Sequence, residues 1–168
     1  PFLRSKKNSS DVAKTSDVIT EVLNYYKSKN LSFEYVCCIY PTAPLINMIA
    51  FKNGYKFLKN NNYDSVFPVV KFDYPVLRGF KLKKSMVNFL WKNNLNKRSQ
   101  DFENIYHDAG QFYWLNAKSF LNNENIISDN SYCIKLSRIE AHDIDDITDW
   151  KLAELKYEYL QSIKKSNI

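Results

Sequence analysis

Asp143 and Asp145 stand two apart in Asp143-Ile144-Asp145, just ahead of a segment with helical periodicity. In extended chain, side chains two apart point to one face with about 6.6 Å of rise between them, so both carboxylates can address one hard cation and its phosphate ligands. That is how magnesium is presented to a nucleotide. The same two acids equally suit turn and cap positions before the helix, and Asp146 with Asp149 already makes a capping arrangement there. A second group is Arg98-Ser99-Gln100-Asp101, followed by Tyr106-His107-Asp108-Ala109-Gly110-Gln111-Phe112-Tyr113-Trp114. Arg grips a carboxylate at two points, Asp, Gln and Tyr hold sugar hydroxyls, and Gly lets backbone approach closely. The plainer alternative is an exposed loop running into an edge strand, with His107 solvated. The third group is Arg4 with residues 11–15, where a helix N-terminus and the Thr15 hydroxyl suit a polar ligand. Simple capping by Thr15, Ser16 or Asp17 is the alternative there.

These groups need elements to hold them. Val18, Ile19, Val22, Leu23 and Tyr26 recur at helical spacing and predict a helix ending near Lys29-Asn30. Residues 33–40 form an almost unbroken apolar run, the pattern of a strand buried on both faces of a parallel sheet, and Pro41-Thr42-Ala43-Pro44 stops it. Residues 46–59 return to helical periodicity through Ile49, Phe57 and Leu58, and residues 65–72 read as the next strand. Strand, helix, strand in this order predicts a right-handed crossover in an α/β sheet. Residues 76–91 alternate around a Lys83-Lys84-Ser85 turn, which predicts a projecting hairpin that packs on something else, a second subunit being a natural candidate. Residues 111–114 and 133–137 are short strand candidates, and 148–163 is an amphipathic closing helix, with Trp150, Ala153 and Leu160 and with Leu152, Leu155 and Tyr159 at helical spacing.

Composition sets the outer limits. With 45% hydrophobic and 15% aromatic residues, the chain can bury one ordinary core, so one domain spanning 1–168 is expected. The apolar run at 35–40 is far short of the roughly 20 residues a membrane helix needs, so no membrane partner is expected. Three cysteines, two of them adjacent at Cys37 and Cys38, suit small hydrophobes in a reducing cytoplasm better than a disulfide framework. The net charge of +6 is scattered, without a basic run or a nucleic-acid motif. A small anionic ligand uses that charge more economically than nucleic acid does.

The run R-S-Q-D-x-x-x-x-Y-H-D-A-G-Q-F-Y-W from Arg98 to Trp114 resembles the signature of pseudaminic acid cytidylyltransferases, close relatives of the CMP-sialic acid synthetases. Further resemblance lies in Y-V-C-C-I-Y-P-T-A-P at 35–44, in Asp143-Ile144-Asp145 before a T-x-x-D-W-like helix start, and in Arg4 with Thr15 downstream. The earliest segment departs from the pattern, with Ser5 where the family usually has Pro and Lys14 where it has Gly. The resemblance implies a Rossmann-like nucleotidyltransferase fold of the nucleotide-diphospho-sugar transferase type. Its sheet is mixed but mostly parallel, and the 76–91 hairpin is its dimerisation flap.

In that family the anomeric hydroxyl of a nine-carbon α-keto acid sugar attacks the α-phosphate of CTP, giving CMP-sugar and pyrophosphate with magnesium. Catalysis there is mainly alignment and charge neutralisation. Carried over, the resemblance implies Asp143 and Asp145 for Mg2+ and Arg98 for the sugar carboxylate, in the neighbouring subunit's site of a homodimer. Gln100, Asp108 and Tyr113 contact the sugar, Tyr40 stands at a strand end beside it, and Arg78 makes a contact across the flap. Arg4, the Ala13 backbone and Thr15 face the cytidine. Family members also open with a strand and a Gly-rich basic loop for the triphosphate, whereas Gly54, Gly79 and Gly110 are the glycines here. The first βα units, roughly 60 residues at about 30 per unit, are therefore expected to be missing, leaving an inactive N-terminally truncated fragment of an enzyme for bacterial surface glycan or flagellin glycosylation. The rival readings are a synthetase for sialic, legionaminic or keto-deoxy-octulosonic acid, and a dimerisation or binding remnant without turnover.

Overall fold

The computed structural model describes residues 2–166, so Pro1 and the last two residues lie outside it. Among the described residues four α-helices and seven strands follow one another as α1 (Thr15–Ser28), β1 (Tyr35–Ile39), α2 (Met48–Asn60), β2 (Ser65–Lys71), β3 (Phe80–Lys83), β4 (Met86–Phe89), β5 (Tyr106–Asp108), β6 (Phe112–Asn116), α3 (Ala117–Asn123), β7 (Ser131–Leu136) and α4 (Ile147–Ser166).

Strand β2 is the centre, with every residue but Lys71 buried. Along one edge it pairs in parallel with β7, from Ser65 opposite Ser131 to Val70 opposite Leu136. The other edge is shared, β6 taking Ser65 and Val66 and β5 taking Val69 to Lys71, both antiparallel. Strand β6 also pairs antiparallel with β1, from Tyr35 opposite Asn116 to Ile39 opposite Phe112. Strands β1 and β2 therefore point the same way with a returning strand between them. This corrects the mostly parallel sheet expected from the sequence, because three of the four pairings in the five-stranded sheet are antiparallel. A short apolar run shows that a strand exists but carries no mark of its direction. Strand β1 is likewise half-buried rather than covered on both faces.

Six residues of advance from Asp108 to Trp114 oppose only three from Val69 back to Val66. The excess forms a bulge at 109–111, pinned where Ala109 N–H donates to Pro68 O at 3.0 Å and Tyr40 N–H donates to Gln111 O at 2.9 Å. Gly110 sits at φ +62°, the left-handed region that a residue without Cβ enters cheaply.

Helix α1 buries Ile19 and Leu23 against Phe67, Val69, Tyr113, Leu115 and Phe120, which form the larger core cluster. Its N-cap is Lys14, with no side-chain cap, in place of the Thr15, Ser16 or Asp17 cap expected; the Thr15 hydroxyl is instead paired with Tyr40. Upstream, Ser5 N–H and Oγ both reach the Glu21 carboxylate, and the buried Asn8 amide joins them. A proline at position 5 has no N–H for that bond, so Ser5 here anchors the N-terminal segment to α1.

Helix α2 buries Ala50, Gly54 and Leu58, whereas Ile49 and Phe57 of the expected apolar face are exposed. Small residues win because Trp114 lies against the helix, its indole N–H donating to Phe51 O at 3.0 Å. Helix α4 buries Ala153 but leaves Trp150, Leu152, Leu155 and Tyr159 exposed. Strands β3 and β4 form the hairpin expected at 76–91, a separate two-stranded sheet with positive φ at Lys84 and Ser85. Phe80 and Phe89 meet edge to face across it at 5.7 Å. No described helix is long and apolar enough to cross a membrane.

A Cβ added at Gly54 would lie 2.8 Å from Trp114 Cδ1, inside contact distance of a rigid ring. Alanine gains about 1 kcal/mol of helix propensity over glycine, and overpacking costs about 1–3 kcal/mol, so Gly54→Ala should be neutral to destabilising by about 2 kcal/mol. Denaturant unfolding reads the outcome; a clear gain in stability would mean that Trp114 has room to move.

Candidate active site

The bulge decides which side chains meet. Asp108 ends β5, and its Oδ1 accepts the Gly110 N–H at 2.9 Å while its Oδ2 accepts the Tyr113 hydroxyl at 2.5 Å. Tyr113 is buried, with its ring against Tyr40 at 5.3 Å and Phe67 at 6.0 Å. Burial, and then the bond to and charge of Asp108, push the Tyr113 phenol far above the usual tyrosine range, so it remains a neutral donor. The Tyr40 and Thr15 hydroxyls are 2.9 Å apart, which carries the chain of contacts on to the first turn of α1.

Asp108, Tyr113 and Tyr40 line one side of a cleft of about 980 Å³. Arg78 and its preceding segment form a second side, and Arg138, His142 and Asp143 of the β7–α4 loop form a third with Lys156 of α4. That loop is tied down at several points. Glu140 Oε2 accepts the Ser137 N–H at 3.0 Å and hydroxyl at 2.7 Å, and Oε1 accepts Asn47 Nδ2 at 2.5 Å. Asn47 also caps α2, its Oδ1 accepting the N–H groups of Ile49 and Ala50. The buried Gln111 of the bulge donates from Nε2 to Glu140 O at 2.6 Å, and Lys156 Nζ donates to Arg138 O at 2.9 Å and Ala141 O at 2.7 Å. Burial works to raise the Glu140 pKa, but the Asn47 and Ser137 bonds outweigh it and hold the carboxyl below its usual 4.5. This contribution to stability is present above that value and fades as pH falls through the lowered one.

The residues singled out in the sequence divide into groups. Tyr40, Arg78, Asp108, Tyr113 and Asp143 share the cleft. Asp145 does not line it: its N–H donates to Asp149 Oδ2 at 3.1 Å, whereas Asp143 Oδ1 accepts the Ile144 N–H at 3.1 Å. Asp146 and Asp149 form the expected cap, Asp146 Oδ1 accepting from Thr148 and Asp149 N–H and Asp149 Oδ2 accepting from Asp146 N–H. Arg98 is 72% exposed, and its guanidinium makes a two-point contact with Asp101, Nε to Oδ2 at 3.0 Å and Nη2 to Oδ1 at 2.9 Å. Gln100 lines a smaller cavity of about 300 Å³ that shares the segment from Lys71 to Val76 with the main cleft. Arg4 and Ala13 lie outside both, while Thr15 touches the cleft through Tyr40. His107 is exposed, lines the same cleft and has its ring tilted against Phe72 at 4.7 Å. Among the described residues no three His, Cys, Asp or Glu side chains gather to hold a metal ion. The Cys37 and Cys38 thiols are half-buried, and burial pushes both up, Cys37 to about 12, which leaves them protonated and unreactive.

No protein-family model matches the chain. A curated protein of Campylobacter jejuni serotype O:2, named pseudaminic acid cytidylyltransferase, is 34% identical over 158 residues, which cover 94% of this chain and 68% of the relative. The protein of the same name from serotype O:23/36 is 32% identical over the same extent. The chain belongs to the pseudaminic acid cytidylyltransferase family. A longer Helicobacter pylori protein, named as that enzyme together with a UDP-2,4-diacetamido-2,4,6-trideoxy-beta-L-altropyranose hydrolase, is 31% identical over 90% of this chain and 29% of its own length.

In this family member the sequence drew attention to the bulge run but not to Arg138, Glu140, His142 or Lys156. Nothing in their spacing separates them from solvated polar residues, and only the fold brings them to the cleft. The bulge itself is testable. A Cβ at Gly110 meets nothing within 4 Å, so Gly110→Ala pays only for its positive φ, about 1–2 kcal/mol, and Gly110→Asn should recover part of that. Equal stability for the glycine and alanine forms in urea would show that the positive φ does not constrain the bulge.

Proposed function

We propose that this chain transfers CMP from CTP to pseudaminic acid, releasing pyrophosphate, in the cleft between the bulge and the β7–α4 loop. The observation that carries the reading is the convergence of Asp108, Tyr113 and Asp143 on that one cleft, in a chain whose family is named for this reaction. The five-stranded sheet is accordingly read as part of a nucleotidyltransferase fold, and the enzyme as cytoplasmic.

The chemistry forms a bond from the anomeric oxygen to the α-phosphorus and breaks the α-to-β phosphate bridge, so the chain's task is alignment and charge control. Asp108 is held by two donors, and a carboxylate with about four acceptor sites has capacity left for sugar hydroxyls. Tyr113, kept neutral, fixes the face Asp108 presents. Tyr40 and Thr15 lead from there toward the cytidine side, with Arg4 and the Ala13 backbone beyond.

Magnesium suits the donor chemistry at Asp143, a hard oxygen ligand on the cleft wall, because this ion takes one or two carboxylates and fills its shell with phosphate oxygens and water. Asp143 would hold it, with Asp145 two residues on as the outer partner, and when bound it neutralises phosphate charge. Arg98, exposed and oriented by its two-point contact with Asp101, is read as gripping the sugar carboxylate in the site of a second subunit. The β3–β4 hairpin, with Leu82, Met86 and Val87 exposed, is read as the surface that brings that subunit alongside, and Arg78 as the contact at its base.

The test is pyrophosphate release from CTP with pseudaminic acid and magnesium. Measured in an enzyme of the relatives' full length that carries these residues, Asp143→Asn should lose about 100-fold or more of the turnover, and Asp145→Asn should lose less. Full activity in the Asp143 variant, or no turnover by the unsubstituted enzyme of that length, would contradict the reading.

A further inference from the structure

Lys156 is a half-buried ammonium on α4 whose surroundings do not match its charge. Two of its three N–H donors go to the carbonyls of Arg138 and Ala141, at 2.9 and 2.7 Å, which fixes the head group without neutralising it. Among the described residues no carboxylate forms an ion pair with it. The other cations on the cleft are placed differently. Arg138 is 74% exposed and already paired with Asp73 at 3.0 Å, and Arg78 reaches Ser99 Oγ at 3.5 Å. Burial lowers the Lys156 pKa, with the Asp73 charge opposing it, as expected for a cation lacking a close counter-charge.

The two carbonyls belong to the loop that carries Asp143, and Ala141 is two residues before it. Lys156 is therefore held at a fixed place on the same wall as Asp143, with one donor unassigned and the cleft in front of it. A charged hydrogen bond to an anionic oxygen satisfies both the donor and the charge. We infer that Lys156 is an oxyanion-binding residue of this cleft, its clamped ammonium receiving one anionic oxygen of a bound substrate. Both substrates of the proposed reaction carry such oxygens, a phosphate on the nucleotide and a carboxylate on the sugar. The inference rests on reading the cleft as the site of CMP transfer.

Calorimetric titration of the chain with CTP and magnesium, and separately with pseudaminic acid, tests it. Lys156→Gln keeps two N–H donors for the carbonyls and removes the charge. It should weaken one of the two ligands by about 10-fold or more, the scale of a charged hydrogen bond, and leave the other within about twofold. Whichever ligand weakens identifies the oxyanion. Lys156→Arg, which keeps the charge, should stay within a few-fold of the unsubstituted chain for both. Unchanged affinity for both ligands in the Gln variant, or equal weakening of both, would reduce Lys156 to a clamp on the loop and overturn the inference. Should the Gln variant not fold, amine acylation of the unsubstituted chain read by mass spectrometry decides: one ligand should shield Lys156, and shielding by neither overturns the proposal. Failure of the unsubstituted chain to bind either ligand would instead bring down the functional reading itself.

Discussion

The cleft depends on a change of parity in one strand. Side chains alternate faces along a regular strand, so Asp108 and Tyr113, five apart, would point to opposite sides of the sheet. The bulge at 109–111 adds three residues against β2, an odd number, and the alternation is reset. The Tyr113 hydroxyl then reaches Asp108, the Gly110 N–H closes on the same carboxylate, and Gln111 turns inward to hold the Glu140 carbonyl. One positive φ at Gly110 thus supports the strand side of the cleft and, through Gln111, the loop opposite.

That loop is ordered by its attachments and has no regular structure of its own. Asn47 joins it to the start of α2 while capping that helix, Gln111 joins it to the bulge, and Lys156 joins it to α4. Asp143 therefore sits on irregular backbone held from three directions, which is how a loop residue keeps a fixed place without belonging to a strand. Charge follows the same plan. Asp108 is matched by neutral donors and, among the described residues, Asp143 accepts from the Ile144 N–H alone, so both carboxylates keep capacity for ligand. Arg78, Arg138 and Lys156 line the same cleft, and together these groups make a mixed lining suited to a substrate that carries both hydroxyls and anionic oxygens.

Much of this was legible where local rules apply. The helical repeat through Ile19 and Leu23, the buried run of β2, the hairpin around Lys84 and Ser85, and the Asp146–Asp149 cap all follow from spacing and residue type. The misreadings arose where distant chain decides. Helix α2 seats Ala50, Gly54 and Leu58 because Trp114, sixty residues downstream of Gly54, occupies the space before it. The antiparallel direction of β6 depends likewise on tertiary placement. Tertiary placement also sets what spacing alone does not show, the contact of Arg98 with Asp101 and the lining of the cleft by Asp143 without Asp145. Lys156 gave no signal because a lysine on an amphipathic helix reads as solvated surface.

The most direct measurement is a crystal structure of the chain with CMP-pseudaminic acid bound. The account predicts the sugar against Asp108 and Tyr113, with the phosphate of the same molecule in the cleft beside Asp143. The product seated elsewhere, as in the apolar groove that Trp150 and Tyr157 form with Pro41 and Pro44, would contradict it.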